Sequence, residues 1–350
     1  GLKYMKKFEI STTHPYNICI GNNIMAHSGA LISEVLEPCK IAIITDTNVN
    51  SLYSQVFITS LIESGFEVSK IIFPAGEHSK NLNTYGNVLE ALADEGISRS
   101  DAIASLGGGV VGDISGFAAA TYMRGIKFLQ IPTSYISAID ASVGGKTGIN
   151  LLSGKNLAGA FWQPSLVICD TKVFETLPPK QIMEGVAEAM KLGICFDSNL
   201  IPKIIEKDYS YVVERAVSIK KYIVEADELD VGLRQMLNFG HTIGHCIEKA
   251  SAYSIPHGLA IAKGMAAEAK ACAAMNLTSM DIYEKISSIL TEAEFDLTIG
   301  FDATELYKYA LLDKKISHGK IAITVPDKIG QSHLEKISLS QLKSFFESAF

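Results

Sequence analysis

Residues 101–122 read DAIASLGGGVVGDISGFAAATY. The run 101–106 is short and apolar, as a buried strand requires. Glycines then cluster over 107–112, and an alanine-rich stretch with helical spacing follows over 113–122. Strand, glycine loop and helix in that order are the repeating parts of an α/β fold. The glycines also satisfy G-x-G-x-x-G, which lets a backbone approach a pyrophosphate and presents helix N–H groups to it. A tight structural turn satisfies the same pattern. The acid that a standard dinucleotide fingerprint carries about 20 residues further on is missing. Asp46, at the end of an earlier apolar run, is the alternative partner for a ribose.

Working outward, the alternation continues in both directions. Strands are expected at 16–20, 40–45, 67–73, 127–131 and 166–170. Helices are expected from the Asp46-Thr47-Asn48 cap signal to about Ser64, over 82–95, and from 132–134 onward. Such alternation means a mostly parallel sheet with helices on both faces. After Leu177-Pro178-Pro179 the pattern changes. Helical spacing dominates 180–196, 209–226, 232–249, 256–275, 279–293 and 303–312. One β-like run, 320–325, precedes a closing helix near 339–349. The expected architecture is an α/β, Rossmann-like N-terminal domain over 1–178 and a mainly α-helical C-terminal domain over 179–350, with the active site in the cleft between them.

At 350 residues, 47% hydrophobic and 20% charged, the chain is globular and long enough for two domains. It has no run near the roughly 18 apolar residues of a membrane span. The opening GLKYMKKFEI lacks the apolar core of a secretory signal, so a cytoplasmic protein is expected. The net charge of -7 and the absence of a Lys/Arg cluster argue against a nucleic-acid partner. The six cysteines show no C-x-x-C pair, which suits reduced structural thiols.

The densest chemistry lies at 234–257, RQMLNFGHTIGHCIEKASAYSIPH. If 232–249 is one helix, Arg234, Asn238, His241 and His245 share a stripe, because residues three or four apart lie on one face. Two histidines on that stripe, with His257 opening another helix, fit a metal centre; satisfied core histidines are the plainer alternative. The sequence is not H-E-x-x-H and contains no G-x-S-x-G, so zincin protease and serine hydrolase chemistry lack their signatures. In EGVAEAMKLG, 184–193, Glu188 and Lys191 stand at i, i+3 among apolar neighbours. They are either a solvent-facing ion pair or a buried carboxylate that needs a cation. DASVGGKTGIN, 140–150, ends like a P-loop, but the first glycine of that motif falls at Asp140. A glycine loop that sets Asp140 and Lys146 over a ligand is the better reading.

Taken together, these strings resemble the 3-dehydroquinate synthases. The matching set is PAGEHSKN, GGGVVGD, ATYMRG, IPTS…DASVGGKTGIN, GKNLAGAFWQP, GVAEAMKLG, DELDVGLRQMLNFGHTIGHCIE, His257-Gly258 and LLDKK at 311–315, in order over about 40 to 315. The likeness exceeds that to the iron-dependent alcohol and glycerol dehydrogenases. It implies an NAD- and zinc-dependent lyase of the shikimate pathway, with Co2+ or another divalent metal able to replace zinc. Glu188, His241 and His257 correspond to the metal ligands, and His245 goes to substrate instead. The nucleotide residues implied are Asp46, Asn48, Glu77, Lys80, Gly108, Gly109, Val110, Asp113, Thr133 and Ser134. Those implied for substrate are Asn156, Lys220, Arg234, Asn238, His245, Lys314 and Lys146, with Asp140, Lys146, Lys191 and His245 catalytic. Arg124 matches an arginine given to a neighbouring subunit, which implies a homodimer. The substrate implied is a small anionic sugar phosphate, 3-deoxy-D-arabino-heptulosonate 7-phosphate, whose charges explain many cations in an acidic protein. A 2-deoxy-scyllo-inosose synthase, whose substrate lacks the carboxylate, and a simple polyol dehydrogenase are the competing readings.

Overall fold

Central strands buried on both faces read as continuous apolar runs, and the first half of the chain builds its sheet from such runs. The computed structural model describes residues 5–311 and 319–350. Two units emerge, one of Gly1–Pro178 with Lys220–Leu229 and one of Pro179–Ile219 with Asp230–Phe350. In chain order the first holds β1 (Lys6–Ile10), β2 (Tyr16–Gly21), α1 (Ser28–Ile32), β3 (Lys40–Asp46), α2 (Thr47–Glu63), β4 (Glu67–Phe73) and α3 (Leu82–Asp94). It continues with β5 (Ala102–Gly107), α4 (Gly109–Thr121), β6 (Lys127–Pro132), β7 (Lys146–Leu151), β8 (Gly154–Phe161) and β9 (Leu166–Asp170).

Seven of these strands form one sheet in the order β1-β2-β9-β6-β5-β3-β4. Only β1 runs antiparallel to its neighbour. From β3 the chain steps outward to β4, then crosses back to place β5 on the other side of β3. The strand order therefore reverses between β3 and β5, and a crevice at such a reversal, outside the carboxyl ends, is where α/β sheets take ligands. Thr45 pairs with Leu106, so Asp46 and Gly107 end neighbouring strands there. Ile44, Ile103, Ile114 and Phe128 are among the buried side chains that hold α3 and α4 on the sheet.

The second unit holds α5 (Pro179–Cys195), α6 (Leu200–Ile205), most of α7 (Tyr209–Ala226), α8 (His241–Ala250), α9 (His257–Ala274), α10 (Met280–Glu292) and α11 (Ala303–Ala310). A hairpin of β10 (Lys320–Lys328) and β11 (Gln331–Ser338) and then α12 (Leu339–Ala349) complete it. Ile243, Ile247, Cys272, Ile323, Phe345 and Phe346 lie in its core. No helix among the described residues is long and apolar enough to cross a membrane.

Four expectations need correction. The span 107–112 is not a loop: α4 begins at Gly109, with Gly108 as its N-cap. The helix expected from 132–134 is short and ends in a π-helical turn, Ser137–Ala141. The glycine loop expected at 140–150 continues into β7, which pairs with β8 in an antiparallel hairpin. The span 232–249 is not one helix, because a 3-10 segment, Leu233–Asn238, is followed by Gly240 at φ 79 before α8 starts. A left-handed residue cannot continue a right-handed helix, so Arg234 and Asn238 do not share a helical stripe with His241 and His245.

Candidate active site

In the second unit His241 is the first residue of α8 and His257 the first of α9. Close backbone approach sets both. A Cβ on Gly258 would lie 2.4 Å from the Cα of Glu184 on α5, so α9 starts hard against the helix that carries Glu188. The outcome is a convergence of three ligand atoms from Glu188, His241 and His257, all within 4.8 Å of one another. Glu188 Oε1 is 3.5 Å from His241 Nε2 and 3.3 Å from His257 Nε2. Glu188 is 1% exposed and Lys191, its ion-pair partner, 2%, so this pair is no solvent-facing bridge.

Each imidazole is held from behind. His241 Nδ1 lies 3.1 Å from the carbonyl oxygen of Phe239, and His257 Nδ1 lies 3.2 Å from Glu248 Oε2. With Nδ1 donating, both Nε2 atoms present lone pairs toward Glu188, as metal-binding histidines do. Helix N-termini carry positive partial charge, which opposes a cation, and buried carboxylates offset it here. Glu268 of α9 accepts the amides of Gly240 and Ile243 at 2.8 and 2.9 Å. Burial raises the pKa of Glu184, while His257 and the Gly258 amide pull it down. Without a metal, burial disfavours the His257 imidazolium, but Glu188 and Glu248 outweigh that and raise its pKa to about 10. His245 stands beside the pair, its ring centroid 5.2 Å from that of His241 and 5.9 Å from that of His257. Arg234 is buried in the 3-10 segment, and Asn238 donates to the carbonyl of Gln235 at 2.9 Å.

The first unit gathers a second set. Asp46 caps α2 by accepting the amides of Asn48 and Val49 at 2.9 Å each. Among the described residues no side chain caps α4, which leaves the amides following Gly108, those of Gly109 and Val110 included, for an anion. A Cβ on Gly108 would lie 3.2 Å from Ser134 Oγ, and Thr133 donates its amide to Gly107 at 2.9 Å, so Thr133 and Ser134 border the same turn. Buried Lys80 bridges Asp113 and Asn156. Glu77 accepts from Asn150 of β7 at 2.7 Å, which ties the 75–81 loop to the hairpin. A cavity of about 310 Å³ is lined by Asp113, Lys146, Thr147, Asn156 and Phe161, among others. Lys220 donates to the carbonyl of Asp140 at 2.5 Å, to Asp140 Oδ1 at 2.6 Å and to the carbonyl of Val143 at 3.2 Å. Arg124 is set apart: it is exposed beyond the C-terminal end of α4, about 20 Å from Gly108 at ~1.5 Å per helical residue. Lys314 and its neighbour Lys315 lie outside the described residues.

Residues 70–184 match the family described as 3-dehydroquinate synthase N-terminal, and residues 185–316 match 3-dehydroquinate synthase C-terminal. The chain belongs to the 3-dehydroquinate synthase family. A 3-dehydroquinate synthase of Streptococcus suis is 39% identical over 344 residues, 95% of this chain and 97% of that one. One from Streptococcus pneumoniae is 39% identical over 345 residues, with the same coverage. Among solved structures, a 2-deoxy-scyllo-inosose synthase complexed with carbaglucose-6-phosphate, NAD+ and Co2+ superposes with a TM-score of 0.88 at 24% identity, covering 98% of this chain and 99% of that one. A 2-epi-5-epi-valiolone synthase from Streptomyces hygroscopicus with NAD+ and Zn2+ bound gives 0.84 at 23%, covering 95% and 96%. At those identities the likeness is one of fold.

For a 3-dehydroquinate synthase, the donor sets fit the expected cofactors. Two imidazoles and a carboxylate suit zinc or cobalt and leave a coordination position open. The α4 amides and the Asp46 carboxylate suit a pyrophosphate and a ribose. Glu184, Glu248 and Glu268 did not stand out in the sequence. Their signal is an acid inside an apolar helix, clearest in LAIAKGMAAEAKACAA at 259–274. Burial pushes the Cys195 thiol up to about 12, and Cys246 packs with its Sγ 3.2 Å from the carbonyl of Thr242. None of the six cysteines is in a disulfide.

Proposed function

We propose that the chain converts 3-deoxy-D-arabino-heptulosonate 7-phosphate to 3-dehydroquinate and phosphate. The order is oxidation, phosphate elimination, re-reduction, ring opening and aldol closure. The carrying observation is the convergence of Glu188, His241 and His257 beside buried Lys191, in a chain of this family. Substrate and products stand at the same overall oxidation level, so NAD is restored within each turnover. A divalent cation held by Glu188, His241 and His257 supplies Lewis acidity that lowers the pKa of the hydroxyl to be oxidised. NAD, held by Asp46, Asn48, Glu77, Lys80, Asp113, Thr133, Ser134 and the Gly108–Val110 turn, supplies the oxidant. Oxidation acidifies the neighbouring C–H, and phosphate then leaves.

The remaining work is positioning and proton handling. Arg234 and Lys220 take the carboxylate, with Lys220 exchanging its bond to Asp140 for one to substrate. Lys146, Asn156, Asn238, His245 and Lys314 take the phosphate end. Lys191 Nζ and a ring nitrogen of His245 exchange protons beside the metal ligands, and Asp140 and Lys146 do so from the first unit. The reading requires a second copy of the chain to supply Arg124, and it places the enzyme in the cytoplasm.

The test is incubation with the heptulosonate phosphate, NAD and zinc. Phosphate is expected to be released with no net reduction of NAD. Stoichiometric NADH accumulation, or no phosphate release, overturns the reading.

A further inference from the structure

His257 faces two carboxylates with its two ring nitrogens. Nε2 lies 3.3 Å from Glu188 Oε1 and Nδ1 lies 3.2 Å from Glu248 Oε2. Two overlapping sets of ligand atoms result. One is Glu188, His241 and His257; the other is His245, Glu248 and His257. A single imidazole cannot serve a cation in both sets at once with the other carboxylate idle, so the surroundings decide which carboxylate binds and which supports.

Three observations assign the roles. His241 is committed by its Nδ1 contact to Phe239, which aims its Nε2 at Glu188. Glu188 already meets two imidazole Nε2 atoms, whereas Glu248 meets Nδ1 of His257. Glu248 is itself buried, on α8 before the 251–256 connection, while His257 stands just after it, so their contact closes that connection. We infer that Glu248 is a positioning residue for the metal centre: it accepts the Nδ1 proton of His257, fixes the tautomer and ring orientation, and through its charge makes Nε2 the stronger donor. The two imidazoles are then backed differently, His241 Nδ1 by the carbonyl oxygen of Phe239 and His257 Nδ1 by the carboxylate of Glu248. This inference rests on the assignment of Glu188, His241 and His257 as the ligands.

Supporting carboxylates of this kind change metal affinity by about 10–100-fold when removed. The experiment compares Glu248→Gln, Glu248→Ala, Glu188→Gln and His245→Ala by chelator competition for Zn2+ and by the visible spectrum of the Co2+-loaded protein. Melting of each metal-free variant tests its folding. Glu248→Gln keeps an acceptor and loses the charge. It is expected to weaken Zn2+ by about 10-fold with an unchanged Co2+ spectrum, and Glu248→Ala by up to about 100-fold. Glu188→Gln is expected to alter the Co2+ spectrum and lose the metal far more severely. Unchanged affinity in both Glu248 variants overturns the inference while leaving the ligand set standing. Retained affinity and spectrum in Glu188→Gln, with both lost in Glu248→Gln and His245→Ala, overturns the ligand set itself.

Discussion

Gly264 of α9 and Gly240 ahead of α8 meet backbone to backbone: a Cβ on Gly264 would stand 2.0 Å from the Gly240 carbonyl oxygen. No rotamer change relieves such a contact, so α8 would have to retreat and take His241 with it. Alanine normally gains about 1 kcal/mol over glycine inside a helix. Here Gly264→Ala is expected to destabilise the protein by about 1–3 kcal/mol, the usual range for overpacking, and to weaken metal binding. Gly86 of α3 is the control, because a Cβ there meets nothing within 4 Å. Gly86→Ala should leave metal affinity alone and stabilise slightly. Urea denaturation and metal titration of both variants check this; equal behaviour would sink the packing argument.

Lys80 carries the second prediction. It is buried and bridges Asp113, a partly exposed carboxylate, and Asn156. Removing one member of such a pair costs more than the pair contributes, because the other charge stays without its partner. Since Asp113 retains some solvent, Lys80→Met is expected to cost about 1–3 kcal/mol, below the fully buried range. Lys80→Met with Asp113→Asn should recover part of that loss. Strict additivity in this double-mutant cycle would show that the two side chains are not coupled.

The parallel core was legible because β3, β5, β6 and β9 are nearly continuous apolar runs. The β7–β8 hairpin was not. KTGINL and GKNLAGAF lack a clean period of two, and two of their glycines are there for close approach: a Cβ on Gly159 would stand 2.1 Å from the Thr147 carbonyl oxygen. Glycine misled the reading of α4 as well, where poor helix formers open the helix to keep its first amides bare. At 232–249 the periodicity was real, but Gly240 interrupts it, and a glycine within a helical pattern lowers the expectation of one continuous helix. Of the candidate site, residue types and order were readable. The burial that makes Glu188 and Lys191 exceptional was not, since it depends on α9 packing against α5.

Asp46 offers a way to separate a structural from a binding role. Its Oδ1 caps α2 through two amides. Asparagine caps about as well as aspartate, whereas alanine loses about 1 kcal/mol. Asp46→Asn should therefore preserve stability, and Asp46→Ala should not. If the carboxylate also receives a ribose, both variants lose NAD affinity by about 1.5–3 kcal/mol, the range for hydrogen bonds to charged groups. Calorimetric titration with NAD decides it. Full affinity in Asp46→Asn would confine Asp46 to capping.

The last prediction concerns pH and is remote from the site. Asp101 accepts the Lys40 amide at 3.0 Å through Oδ1, and through Oδ2 the amide and hydroxyl of Ser98 at 2.7 and 2.6 Å. Burial pushes its carboxyl up, but these bonds prevail and hold it below the ordinary aspartate value. The folded state thus releases this proton more readily than the unfolded chain. The resulting stability is fully present above the unfolded pKa of about 3.9 and is lost as pH falls through the lower folded value. Asp101→Asn replaces an acceptor facing these donors by an amide and is expected to cost about 1 kcal/mol at neutral pH. Urea denaturation at pH 6 and at about pH 3 should show the gap between parent and variant closing on acidification. A gap that stays constant over that window would mean that the Asp101 carboxylate carries no differential charge stabilisation.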